Sequence, residues 1–198
     1  MLDKIADYLL LRSSYSKDIS LFHGKMGVAL SLYLYAEKSG DNLLKEYAWD
    51  LFLQVHESVH TDMPIGLECG LAGIGVGTVL LCQYSGQDCN FNDILAKVDT
   101  KIMERDPRRL KDMSLRTGMA GLLYYLSLRG IDGSEISSFD KQYISELYQA
   151  TSNYKIPNNI TNLIDIVDEP SFTMCNYLEE PLGIDGGSSY YLLKSAIR

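Results

Sequence analysis

Apolar side chains recur along this chain in two alternating forms. In the first they fall every three or four residues and leave a charged face. Leu2, Ile5, Ala6, Leu9 and Leu10 stand opposite Asp3, Lys4 and Asp7; Leu43, Leu44, Tyr47, Ala48, Leu51, Phe52 and Val55 stand opposite Lys45, Glu46, Asp50 and Glu57. That period marks a surface helix with one buried side. In the second form the run is apolar nearly all round, as from Val28 to Ala36, and a helix of that kind belongs inside. Outer helices are predicted over residues 1–12, Asn42 to Val59, Asn92 to Arg105 and about Ser138 to Thr151. Inner helices are predicted from Gly24 to Gly40, Gly70 to about Tyr84, Thr117 to Leu128, and from Gly187 to the end at Arg198. Gly40, Gly86 and Gly130 close the first three, as glycine at a helix C-terminus commonly does, and Asp41 can cap the helix that follows. No segment alternates with the period of a strand, so the expected class is all-α: helical hairpins, outer then inner, four times over.

Each inner helix opens on the same signal. Gly24-Lys25-Met26-Gly27, Gly70-Leu71-Ala72-Gly73 and Gly118-Met119-Ala120-Gly121 recur at intervals of roughly fifty residues, the spacing of a repeated supersecondary unit. Pro181-Leu182-Gly183-Ile184-Asp185-Gly186-Gly187 echoes Pro64-Ile65-Gly66-Leu67-Glu68-Cys69-Gly70, which makes Gly187 the first glycine of a fourth repeat and puts Tyr190 in the place of the second. The first glycine is expected to let the chain turn into the helix, and the second to remove a side chain where backbones approach closely. Only residues 152–181 break the rhythm. Pro157, Pro170 and Pro181, with Asp165, Asp168, Glu169, Glu179 and Glu180, read as a long acidic insertion containing one short helix around Ile160 to Ile166.

Composition narrows the function. The chain of 198 residues is 46% hydrophobic, with a mean hydropathy of −0.07, which suits one globular domain. A net charge of −8 and a pI near 4.8 oppose nucleic acid and anionic membrane surfaces as partners. No apolar run reaches the length of about 18 residues that a spanning helix needs. Cys69, Cys82, Cys89 and Cys175 form no Cys-x-x-Cys pair, and the start of the chain has no secretory pattern, so reduced thiols and a cytoplasmic setting are expected.

With Gly24-Lys25-Met26-Gly27-Val28-Ala29-Leu30, Gly70-Leu71-Ala72-Gly73-Ile74-Gly75 and Gly118-Met119-Ala120-Gly121-Leu122-Leu123, the chain resembles the LanC-like lanthionine synthetase family over nearly its whole length. The resemblance implies an α/α toroid of outer and inner helix pairs. It also implies a link to the maturation of ribosomally made peptides, and in the cyclases a zinc ion, held by two cysteines and one histidine, that activates a peptide thiol for addition to a dehydroamino acid. This sequence departs from the pattern in two ways. Four repeats are present where the family has seven, which leaves a partial toroid with open edges. The Cys-His-Gly and Trp-Cys-x-Gly zinc signatures are also missing: His23-Gly24 follows Phe22, Cys69-Gly70 follows Glu68, and Trp49 lies on an outer helix. No cofactor is therefore expected, zinc being the one candidate.

The residues just before the first glycines are the candidate site. Convergence of the repeats would gather His23, Cys69, Glu68, Asp185, Arg116 and Thr117 around one mouth, beside helix N-termini whose free N–H groups favour anions. His23 and Cys69 are the candidate metal ligands, since imidazole and thiolate both bind zinc. His23, Glu68 and Asp185 are the candidate catalytic groups, and Arg116 and Thr117 the candidate substrate contacts. A plainer account has His23 and Cys69 packed near the mouth while the two carboxylates complement helix charge.

Three functional readings follow. The first is a peptide-binding or accessory protein. The second is a thioether-forming or other metal-dependent enzyme with a non-standard site, and the third a carbohydrate-active toroid using Glu68 and Asp185 as paired carboxylates. The expected partner is a peptide substrate or another protein, a second copy of the chain included, joined through the open toroid edges.

Overall fold

A computed structural model describes residues 1–60, 62–86, 88–130, 139–152 and 162–197. Every regular element among them is helical: α1 (Leu2–Ser13), α2 (Lys25–Ser39), α3 (Asn42–Ser58), α4 (Leu71–Ser85), α5 (Phe91–Ile94), α6 (Ala96–Met103), α7 (Met119–Leu128), α8 (Lys141–Ala150) and α9 (Ser189–Ile197), with three 3-10 turns. The order is the predicted one, outer and inner helices in alternation. Ser138, Ile160 and Arg198, which bound three of the predicted helices, lie outside the described residues.

Burial follows the two patterns. The inner helices α2, α4 and α7 are buried on almost every side, and α3 buries Leu44, Ala48, Leu51, Phe52 and Val55. Two expected core residues are not core: Leu43 is 72% exposed, and Tyr148 projects from α8 at 45%. Each stands at the edge of its helix's apolar stripe, where the period alone cannot say how far the neighbouring element reaches. Among the inner-helix tyrosines Tyr33, Tyr124, Tyr125 and Tyr190 are buried, but Tyr84 near the end of α4 is exposed. The third outer helix is broken. Leu95, fully buried at φ −98° and ψ 2°, separates α5 from α6. The short helix predicted around Ile160 to Ile166 is, in its described part, a 3-10 turn at Leu163–Asp165.

The chain divides into two compact units, Met1–Ser58 with Ile160–Arg198, and Val59–Asn159. In the first unit α2 packs against α3 and α9; in the second α4 packs against α7 and α6. The inner helices of repeats one and four thus share one unit and those of repeats two and three the other, while the outer helix of repeat two, α3, falls in the first unit and that of repeat four, α8, in the second.

A single backbone device opens all four inner helices. The N–H of Lys25 donates to the carbonyl of Asp18 (2.8 Å), Leu71 to Pro64 (2.9 Å), Met119 to Asp112 (2.9 Å) and Ser188 to Pro181 (2.7 Å). The fourth bond confirms the register that makes Gly187 the counterpart of Gly24. It also corrects the role expected of the first glycines. Gly24, Gly70 and Gly118 have φ of −114°, −122° and −113°, extended backbone that any residue adopts, so the turn itself does not require glycine. Crowding does: a Cβ at Gly70 would lie 2.4 Å from the Pro64 oxygen, and one at Gly118 2.4 Å from the Asp112 oxygen. The second glycine clears the same loop, since a Cβ at Gly27 would strike the Leu21 carbonyl and one at Gly121 the Leu115 carbonyl.

Candidate functional site

Within each unit the loop before one inner helix docks on the loop before another, and the docking is the same in both. In the first unit the N–H groups of Ile184 and Asp185 donate to the carbonyl of Phe22 (2.8 and 3.0 Å). In the second the N–H of Glu68 donates to the carbonyl of Arg116 (2.8 Å). Gly183 and Gly66 make this approach feasible. A Cβ at Gly183 would lie 2.5 Å from the His23 Cα, and one at Gly66 2.6 Å from the Thr117 Cα.

The backbone docking sets a carboxylate against a nitrogen-bearing side chain, an imidazole in one unit and a guanidinium in the other. In the first unit Asp185 Oδ2 lies 3.9 Å from His23 Nε2, with the Asp185 side chain 9% exposed and that of His23 38%. Its other oxygen accepts the N–H of Asp168 (2.7 Å), and the Asp168 carbonyl accepts the N–H of Gly186 (2.9 Å). Gly186 holds a φ of +63°, where a side chain would be strained, so this small ring of bonds depends on glycine. In the second unit Glu68 Oε2 lies 3.8 Å from Arg116 Nη1. Thr117 donates its hydroxyl to Asp112 (2.6 Å), and that bond, with the N–H of Ser114, holds the Asp112 carboxyl below its ordinary range. Cys69, which follows Glu68 at the end of its loop, is exposed.

Of the predicted residues, the structure therefore brings together His23 with Asp185, and Glu68 with Arg116 and Thr117. Two contributors escaped the sequence reading. Asp168 fixes Asp185 from the insertion, and no periodic signal marks it. Asp112 fixes Thr117 from the third loop, and here a signal exists: Asp18-Ile19-Ser20-Leu21 and Asp112-Met113-Ser114-Leu115 match, and in both the aspartate Oδ1 accepts the serine N–H at 2.8 Å.

Two further clusters have packing roles. Trp49 stacks on Phe52 at 4.9 Å, and His56 stands against the same ring at 4.6 Å. Asp99, fully buried, receives the Tyr125 hydroxyl (2.5 Å) and the Arg129 guanidinium, which also reaches Asn92 (2.9 Å).

Among the described residues neither unit by itself brings together the two cysteines and one histidine that the resemblance implies for zinc. Among the described residues the first unit has a single cysteine, Cys175, exposed on a 3-10 turn. The second has Cys69, Cys82 and Cys89. The Cys82 thiol is pushed up to about 12, by burial first and then by its hydrogen bond with Cys89. Arg116 places a positive charge beside Glu68, which opposes a cation there. The residues of each unit do not fit the cyclase centre.

No curated protein and no solved structure matches the chain. The family model for lanthionine synthetase C-like proteins matches residues 15–181, a span that holds the first three glycine repeats and the loop docking of the second unit. On that match, and with helices alternating as the repeat requires, the chain belongs to the lanthionine synthetase C-like family.

Proposed function

We propose that this protein binds peptides as an accessory to the maturation of ribosomally made peptides in the cytoplasm, and that it does not carry out the zinc-dependent cyclisation. One observation carries the reading: in each unit a docked loop pair sets a carboxylate beside a nitrogen donor, Asp185 beside His23 and Glu68 beside Arg116, where the cyclases need thiolates and an open metal position. A peptide offers matching chemistry, since its amides, hydroxyls and charged side chains can bond to either member of such a pair. Asp185 is held by backbone bonds and Arg116 is anchored through its own carbonyl, so little ordering is left to be done on binding. His23 and Arg116 supply the donors, Asp185 and Glu68 the acceptors. The family is usually zinc-associated, so the reading is tested against that chemistry directly.

The experiment is titration of a labelled linear peptide rich in serine, threonine and cysteine, followed by fluorescence anisotropy, alongside elemental analysis for zinc. Saturable binding that weakens about tenfold in His23→Ala or Arg116→Ala, the loss of one charge-assisted bond, supports the proposal. A stoichiometric zinc that disappears in Cys69→Ala, or thioether formation in a peptide carrying dehydroamino acids, overturns it in favour of the enzyme.

A further inference from the structure

The first unit carries a cleft of about 520 Å³, bordered by the start of its proline loop and within the range of roughly 300–1,000 Å³ typical of ligand sites. One wall is α1, through Tyr8 and Arg12, with Tyr15 and Ser16 of the loop after it, and the other is the end of the acidic insertion and the residue that follows, Glu179 to Leu182. Both walls are fixed. Tyr8 sets its ring edge-on to Tyr177 at 5.3 Å and donates its hydroxyl to the Glu180 carbonyl (3.3 Å). The carbonyls of Pro181 and Leu182 accept the N–H groups of Ser188 and Ser189, which tie that wall to the start of α9.

The charges on these walls do not meet. Acidic residues outnumber basic ones, 26 to 18, so a cation in this chain has carboxylates to spare, and Glu179 and Glu180 line the same cleft as Arg12. Arg12 nevertheless makes no ion pair among the described residues. Glu179 is held at φ +69°, a backbone that non-glycine residues avoid, and Tyr15 is left 85% exposed at the rim. A cation and two carboxylates that face one space without pairing leave room for something between them. In an extended chain successive side chains point to opposite sides, so an acidic residue next to a basic one would present its carboxylate to Arg12 and its ammonium to Glu179 and Glu180. The apolar residue after the basic one would share the side of the acidic residue and lie against Tyr8 and Tyr15.

The geometry points to this cleft as a docking groove for an extended peptide segment with an adjacent acidic–basic pair flanked by apolar residues. The inference rests on the peptide-binding reading above and gives it a second site and a sequence preference. The probes are fluorescein-labelled tetrapeptides, Leu-Glu-Lys-Leu, Leu-Glu-Glu-Leu and Leu-Lys-Lys-Leu, blocked at the C-terminus and titrated into the whole chain. Wild type is expected to prefer Leu-Glu-Lys-Leu by about tenfold, and Arg12→Ala to remove that preference, since one charge-assisted bond is worth about that factor. Arg12 is exposed and unpaired, so the variant folds as wild type does, and Glu179→Lys provides a second variant that should favour Leu-Glu-Glu-Leu. Equal binding of the three probes, or an Arg12→Ala protein that binds as wild type does, overturns the groove. If the serine-rich peptide still binds in a manner sensitive to His23→Ala, the groove alone is lost; if no peptide binds, both readings fall.

Discussion

Replacing Gly183 by alanine should damage the loop docking out of proportion to the size of a methyl group. The added Cβ would lie 2.2 Å from the Phe22 carbonyl oxygen and 2.5 Å from the His23 Cα, and both are backbone atoms that no rotamer change can move aside. Overpacking of this kind costs about 1–3 kcal/mol. Parting the two loops also strains the bonds from Ile184 and Asp185 to Phe22, worth about 1 kcal/mol each. The total is about 3–5 kcal/mol. At a urea dependence of about 2–3 kcal/mol per molar, expected for a domain of this size, the unfolding midpoint should fall by about 1.5 M.

Gly40→Ala is the control, because Gly40 has a φ of +76° with nothing within 4 Å of a Cβ. It loses only the left-handed conformation, at about 1–2 kcal/mol, and its midpoint should fall by about 0.5 M. Both positions lie in the unit of Trp49, the single tryptophan, whose ring stands against Phe52 and Tyr33. Tryptophan fluorescence in urea therefore reads both variants with one probe. A midpoint for Gly183→Ala no lower than that for Gly40→Ala would refute the docking argument and the account of how His23 meets Asp185.

Two more predictions concern buried polar groups. Asp99→Ala leaves the Arg129 guanidinium, 2% exposed, without its carboxylate. The cost should be about 3–5 kcal/mol, or a melting temperature lower by about 10 °C, whereas Asp99→Leu combined with Arg129→Met should recover most of it; equal losses in the single and double variants would refute the pairing. At alkaline pH, burial and then the Asp99 charge raise the Tyr125 hydroxyl well above its usual value, and burial, then the bond to Asp3, takes Tyr35 to about 12. Unfolded tyrosines lose their protons near pH 10 while these keep theirs, so the unfolded state binds fewer protons. Stability should hold below about pH 10 and fall as pH rises toward the native values, with a smaller fall in Tyr125→Phe; urea midpoints unchanged up to about pH 11 would count against it.

Much of this protein follows from local rules. Where an outer helix meets water on one side and core on the other, as in α3, the 3.6-residue period must show it, and an inner helix such as α4 has no polar face to show. The glycine spacing gave the number of repeats and even the register of the fourth, because each loop closes by the same backbone bond and tolerates no Cβ at the same place. The candidate residues were legible for the same reason, as they precede those glycines. Their pairing was not. A repeat says that loops are alike without saying which one docks on which, and four equivalent loops allow several pairings.

The pairing of repeat one with four and two with three needs the tertiary fold, although the sequence holds a trace of it. Loops one and three begin with Asp18 and Asp112, loops two and four with Pro64 and Pro181, and each docked pair joins one of each kind. The aspartate loops turn on a side-chain bond to a serine N–H. The proline loops carry Gly66 and Gly183, and through them approach the backbone of an aspartate loop. What no local pattern could hold is contact between positions far apart in the chain: Asp168 beneath Asp185, Tyr125 and Arg129 around Asp99, and Arg12 across a cleft from Glu179 and Glu180. Periodicity reports the side on which a residue is buried, and only the folded chain decides what it is buried against.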